Sequence, residues 1–201
     1  MPDGGDTSGI TRSLIVLAGG SSRRMGSDKA SLPVDGATLL AYVVDRLRGS
    51  VDEVIVAGGA DPAIAGVSWV GDREPGAGPL SGMAGALGAA RGDAAWVVAC
   101  DLPEVVPQLG DLLFGALTES DEAVVPRVEG RAQPACAVYR TRLVPRIDEL
   151  LGRGERSLMG LINGIRVRFV DAAELQGVDP GLRSFRNLNT PEDFARWLSE
   201  R

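Results

Sequence analysis

The chain has 201 residues, 27 of them acidic and 21 basic, giving a net charge of −6, with 24% charged residues, two cysteines and no histidine. That length suits one sizeable domain with a full core, and the acidic balance argues against a nucleic-acid partner. Without histidine there is no His-based triad and no usual general base, which leaves chemistry working through metal, charge and positioning.

Residues 1–12 hold four Gly or Ser and two Asp with nothing to bury, so they read as a disordered tail before a single domain over 13–201. The run Ser13 to Ala18 is a fully buried first strand, stopped by Gly19-Gly20. Ser31 to Val34 reads as extended and Asp35-Gly36 as a turn. After Thr38, the residues Leu39, Leu40, Val43, Val44 and Leu47 fall at helical spacing, and Gly49 ends that helix. Val51 to Ala57 repeats the buried strand, Gly58-Gly59 repeats the stop, and Val67 to Gly71 is a third strand. Leu80 to Ala90 is a helix of small residues suited to tight packing on a sheet. A fourth strand (Ala94 to Cys100), a helix (Leu109 to Leu117) and a shorter strand from Ala123 to Pro126 follow.

Beyond this point the pattern changes. Val128 to Arg140 reads as a turn and a strand that Pro134 relegates to an edge or a bulge. Thr141 is placed to cap a helix running through Leu151; Ser157 to Ile162 is a short helix and Ile165 to Val170 a late strand. Thr190-Pro-Glu-Asp193 is a capping box, and Phe194, Trp197 and Leu198 form the buried stripe of the terminal helix it opens. The alternation predicts an α/β fold: a doubly wound, mostly parallel, Rossmann-like sheet with an antiparallel portion. Ligands then bind at the carboxyl edge of the strands. Cys100 and Cys136 show no repeated spacing, which excludes a disulfide scaffold and a zinc site. No apolar run reaches about 18 residues, and Met1 to Thr11 has no apolar signal core. A cytoplasmic chain with no membrane partner is expected.

The first strand runs into Leu17-Ala-Gly-Gly-Ser-Ser-Arg-Arg-Met-Gly-Ser-Asp-Lys29. Glycines there let backbone N–H groups approach phosphate oxygens, and Arg23, Arg24 and Lys29 supply cations fit for a triphosphate. A P-loop is excluded because Ser27 and Asp28 stand between Gly26 and Lys29, and Gly19-Gly20 with Gly26 does not match a dinucleotide fingerprint. Asp101, in Cys100-Asp-Leu-Pro103, directly follows a buried strand and is a natural ligand for Mg²⁺. Asp72 stands after the third strand, and the run Gly78-Pro79-Leu80-Ser81-Gly82 lets backbone approach a ligand or lets a helix pack closely on the sheet. Asn187 and Asn189, if extended, point both amides to one face; Asn189 and Thr190 also suit a helix cap.

The loop pattern Leu-x-Gly-Gly-x-Ser-x-Arg-Met-Gly-x-Asp-Lys, with Asp-Leu-Pro and Asn-Leu-Asn-Thr-Pro in that order, resembles the molybdenum cofactor guanylyltransferase family of nucleotidyltransferases. The resemblance spans about residues 13 to 200 and implies a nucleotide-diphospho-sugar transferase-like fold. It also implies the activity: GMP passes from GTP to the terminal phosphate of molybdopterin, giving molybdopterin guanine dinucleotide and pyrophosphate.

By the same likeness, Leu17, Ala18 and Gly19 contact the guanine through their backbone, Lys29 and Arg24 neutralise the phosphates, and Asp101 holds Mg²⁺. Asp72, Gly78, Pro79, Leu80 and Gly82 border the nucleotide, and Asn187 and Asn189 lie in the second-substrate or metal region. Arg23 fits a solvated side chain equally well. Arg131 and Arg156 match segments beside the second substrate or are exposed surface charges. A monomer is expected, with a transient molybdoenzyme or cofactor-carrier protein as partner. Departures from the pattern fall at Ala132-Gln-Pro134, where the family often has an acidic-His-Pro sequence, and at Ala57-Gly58. Rival readings are cytidylyl transfer to molybdopterin, nucleotidyl transfer to another small phosphate, and a GTP-binding regulatory subunit without turnover.

Overall fold

The computed structural model describes residues 11–18, 29–72 and 78–201. In chain order the strands are β1 (Arg12–Leu17), β2 (Pro33–Val34), β3 (Ala37–Thr38), β4 (Glu53–Ala57), β5 (Ser68–Val70), β6 (Ala94–Ala99), β7 (Ala123–Val128), β8 (Arg131–Ala132), β9 (Cys136–Arg140) and β10 (Val167–Asp171). The helices are α1 (Leu39–Leu47), α2 (Pro79–Ala89), α3 (Pro107–Ala116), α4 (Val144–Gly152), α5 (Leu158–Ile162), α6 (Ala172–Leu175) and α7 (Pro191–Glu200). The main sheet runs β10-β7-β9-β6-β1-β4-β5, with β8 beside β7; β2 and β3 form a separate hairpin.

Alternate residues of the central strands face opposite sides because the side-chain period of a strand is two. Leu14 and Val16 of β1, Val54 and Val56 of β4, and Trp96 and Val98 of β6 pack under α1 and α3. Ile15, Leu17, Ile55, Ala57, Ala95 and Val97 pack under α2, α4 and α5. Both faces are covered, which is why these strands read as continuous apolar runs. Strands β1, β4, β5 and β6 are mutually parallel, so their carboxyl ends share one edge. The antiparallel portion is β9, which pairs with both β6 and β7.

Several local expectations are corrected. The strand after Pro134 is not an edge: β9 lies inside the sheet, and Pro134 precedes it in a loop, where its missing N–H costs no ladder bond. Lys29–Ser31 is a single 3₁₀ turn, leaving only Pro33–Val34 extended. Thr141 opens another 3₁₀ turn and does not cap α4. In α7 the capping box is present and Trp197 is buried, but Leu198 is 39% exposed, because only one narrow stripe of this last helix meets the hairpin and α1. Strand β1 begins at Arg12, whose N–H bonds Asp52; residues 1–10 of the expected tail lie outside the described residues.

The amino edge of the sheet is tied by Glu53. Its carboxylate accepts from the Ser13 hydroxyl at 2.5 Å, the Arg91 backbone N–H at 2.7 Å and the Arg91 guanidinium at 2.8 Å. Burial alone would push this carboxyl up, but the three hydrogen bonds together hold it below its ordinary value of 4.5. A depressed carboxyl stabilises the fold above its unfolded pKa and loses that contribution as pH falls through the folded one. The stability of the wild type to urea is therefore expected to fall more steeply below pH 4.5 than that of Glu53→Gln; parallel acid limbs for the two proteins would contradict the assignment.

Candidate active site

The carboxyl edge of the parallel strands gathers the chain's small polar loops. Register sets Leu17 level with Ala57 on one side and Ala99 on the other. The ladder extends just past the strands: the Ala18 N–H donates to the Ala57 carbonyl at 2.8 Å, and the Cys100 N–H to the Leu17 carbonyl at 3.1 Å. Leu17 and Ala18 are nearly buried. Gly19 and Arg24, with Arg23, lie outside the described residues. The chain returns at Lys29, whose turn packs against α1.

Here the two principal charges meet. The Lys29 ammonium lies 3.0 Å from the Asp101 carboxylate, with side chains only 14% and 19% exposed. Seventy-two positions apart in the chain, they meet at this edge: Asp101 follows β6, the neighbour of β1, and the Lys29 turn rests on α1. Asp101 has a second anchor, since its backbone carbonyl accepts the Leu188 N–H at 2.9 Å. Leu188 is buried with Val34, Leu39 and Trp197. Asn187 and Asn189, both exposed, flank it beside Asp101. They belong to an irregular segment and not to a sheet strand. Asn189 and Thr190 donate backbone N–H groups to Asp193, which completes the cap of α7.

The other side of the edge carries Asp72, two residues past β5. A Cβ added to Gly82 would stand 3.3 Å from its Oδ1, so the carboxylate lies against the first turn of α2. Gly78 caps α2 at φ +80°, with Pro79 opening the helix. Leu80 is fully buried as a side chain, and its N–H faces the Arg156 carbonyl at 3.4 Å. The Gly154–Ser157 segment thus rests on the helix that carries the Gly78–Gly82 run. Its Glu155 accepts from Ser157 N–H and hydroxyl and from Arg156 N–H, bonds that hold its carboxyl below the usual 4.5. The Arg156 guanidinium donates to the carbonyls of Leu151 and Glu155, and Arg131 is exposed on β8 at the same sheet edge.

Two positioning residues escape the sequence reading. Leu188 looks like spacing between two asparagines, yet it fixes both beside Asp101. Glu104 forms ion pairs with Arg183 and Arg186 and so ties the segment before Asn187 to the loop after β6; its only signal is an acid three places beyond Asp101. The thiols offer no nucleophile: Cys100 is buried, and burial pushes Cys136 up to about 12. Among the described residues there is no group of three or more acids or thiols able to cage a metal.

A cation and a carboxylate at the carboxyl edge of a doubly wound sheet, bordered by glycine-rich turns, are the parts a nucleotidyltransferase needs. The family model described as the MobA-like NTP transferase domain matches residues 14–167. A probable molybdenum cofactor guanylyltransferase of Methanosarcina mazei is 36% identical over 93% of this chain and 90% of its own length. Another, of Mycobacterium avium, is 39% identical over 90% and 91%. The crystal structure of the molybdopterin-guanine dinucleotide biosynthesis protein A of Archaeoglobus fulgidus superposes with a TM-score of 0.81 at 22% identity, covering 94% of this chain and 97% of that one. The chain belongs to the MobA-like NTP transferase family.

The α2 contact yields a direct test. A Cβ on Gly78 would meet the Arg156 carbonyl oxygen at 2.8 Å, whereas one on Gly154, at φ +86°, would meet nothing within 4 Å. Gly154→Ala therefore carries the backbone cost alone, about 1 kcal/mol, and Gly78→Ala is expected to lose more in urea unfolding. Equal losses would mean that the Arg156 carbonyl gives way freely.

Proposed function

We propose that this protein transfers GMP from GTP to the terminal phosphate of molybdopterin and releases pyrophosphate. The names of its relatives support the substrates, and the Lys29–Asp101 pair at 3.0 Å is the observation that carries the chemistry. An oxygen of the acceptor phosphate attacks the α-phosphorus of GTP, and the bond from that phosphorus to the bridging oxygen of the β-phosphate breaks. The acceptor is already an anion near neutral pH, so no proton need be removed, in keeping with a chain that has no histidine.

The difficulty is to bring two anions together and to stabilise the charge that gathers on the leaving pyrophosphate. Lys29 supplies a compact cation for those oxygens and exchanges Asp101 for phosphate as the nucleotide binds. Asp101 fits as the holder of Mg²⁺, since one carboxylate at an open sheet edge suits an ion that completes its octahedron with water and phosphate. When bound, Mg²⁺ screens the phosphates from each other. Arg24 is the second cation of the proposal, and Asp72 and the Gly78–Gly82 run border the nucleoside. A cytoplasmic location, where GTP is made, belongs to the same reading; among the described residues no helix is long and apolar enough to cross a membrane.

Pyrophosphate release from purified protein with Mg²⁺ and molybdopterin is expected with GTP and not with ATP. Preference for CTP would move the protein to cytidylyl transfer, and GTP binding without release would make it a regulatory subunit. Asp101→Ala is expected to lower turnover by roughly 100-fold or more with an unchanged circular dichroism spectrum; undiminished release would remove Asp101 from the mechanism. Without nucleotide, Lys29→Met is expected to bind Mn²⁺ roughly three- to tenfold more tightly than wild type, because a competing cation worth about 1 kcal/mol has left the carboxylate. Equal or weaker binding would contradict the competition.

A further inference from the structure

Trp69 stands in the middle of β5, the three-residue strand at the edge of the sheet, and is 40% exposed. Its neighbour Val70 packs into the core under α2, so strand alternation turns Trp69 to the opposite face. The indole meets main chain there. Its N–H donates to the Gly58 carbonyl at 3.2 Å. Its Cη2 and Cζ2 atoms lie 3.2 and 3.3 Å from where a Cβ on Gly71 would stand. The ring therefore lies close over Gly71, where a side chain would oblige it to shift by a few tenths of an ångström.

These two glycines lead directly into the nucleoside side of the site. Gly58 also donates its N–H to the Val70 carbonyl at 2.9 Å, so both polar groups of its backbone are fixed by β5. The next residue, Gly59, takes φ +63° and lies against Ala18, whose carbonyl oxygen and Cβ are 3.8 and 3.9 Å from its Cβ position. Gly71 leads to Asp72, whose carboxylate lies against Gly82. One side chain thus holds the segments after β4 and β5, and through Gly59 it backs the end of β1. Asp101 is at the end of β6, on the far side of β1 from β4 and β5.

We propose that Trp69 is a positioning residue for the nucleotide base: it sets the spacing between the Ala18–Gly59 contact and Asp72, the border at which the reading above puts the base. The proposal rests on the GTP reading above. It places the effect of Trp69 on donor affinity and base discrimination, and not on the transfer step at Asp101. Shielding an edge strand would also suit an exposed tryptophan, but that role does not require the bond to Gly58.

The test is nucleotide binding by calorimetry, with steady-state kinetics, for wild type, Trp69→Ala and Trp69→Phe. Trp69→Ala is expected to raise the Kd and KM for GTP roughly tenfold and to narrow the preference for GTP over ATP. Its kcat should stay within about twofold and its KM for the acceptor should not change. Trp69→Phe keeps a ring but not the N–H, and should fall between, at roughly threefold. GTP should change the intrinsic fluorescence of the wild type, and Trp69→Phe should lose that change although Trp96 and Trp197 still emit. Unchanged GTP affinity in either folded variant would overturn the proposal, as would a loss confined to kcat. If the wild type binds CTP and not GTP, the reading of the donor fails; the same comparison made with CTP then decides the role of Trp69 separately.

Discussion

Everything at the candidate site depends on one ion pair, Lys29 to Asp101, formed across the carboxyl edge of the sheet. Asp101 is held at that edge by β6, which is adjacent to β1, parallel to it and in register, and Lys29 by the turn that rests on α1. That register holds because each strand buries alternate residues in two separate cores, one under α1 and α3 and the other under α2, α4 and α5. A slip of one residue would exchange the two faces. The packing that stabilises the protein is thus the packing that aligns its chemistry.

The site is closed by the last part of the chain. Asp101 is oriented from two directions, by Lys29 at its carboxylate and by the Leu188 N–H at its carbonyl. Leu188 in turn belongs to a small third core with Val34, Leu39 and Trp197. That core joins the hairpin, α1 and α7. The Thr190–Asp193 cap, a device for starting a helix, therefore also fixes where Asn187 and Asn189 stand. Glu104 adds ionic ties between the two segments. Opposite this, the proposed nucleoside border is built largely from backbone, with Gly58 fixing a turn and Gly71, Gly78 and Gly82 each in close contact with a neighbour. Acidic and cationic chemistry lies toward β6, and base recognition is proposed toward β4 and β5.

Much of the architecture was legible because buried parallel strands leave continuous apolar runs ended by glycine, as Leu14–Ala18 and Val54–Ala57 do. Asp101 was legible for the same reason, since a carboxylate directly after such a run must emerge at the edge. What could not be read is what depends on partners distant in the chain. The interior place of β9 follows from pairing on both sides, whereas Pro134 pointed to an edge. Leu198 shares the apolar character of Trp197 but is left 39% exposed. Leu188 and Trp69 show only local patterns, a hydrophobe between asparagines and an aromatic in a short strand. Their importance comes from a carbonyl at Asp101 and a carbonyl at Gly58, which no local pattern reveals.

The most direct measurement is a crystal structure with a non-hydrolysable GTP analogue and Mn²⁺, the ion located by its anomalous signal. The result expected is Mn²⁺ on the Asp101 carboxylate, the Lys29 ammonium moved from that carboxylate to the phosphates, and the guanine between Ala18 and Asp72. Nucleotide bound elsewhere on the protein, with Lys29 and Asp101 still paired and no ion beside them, would contradict it.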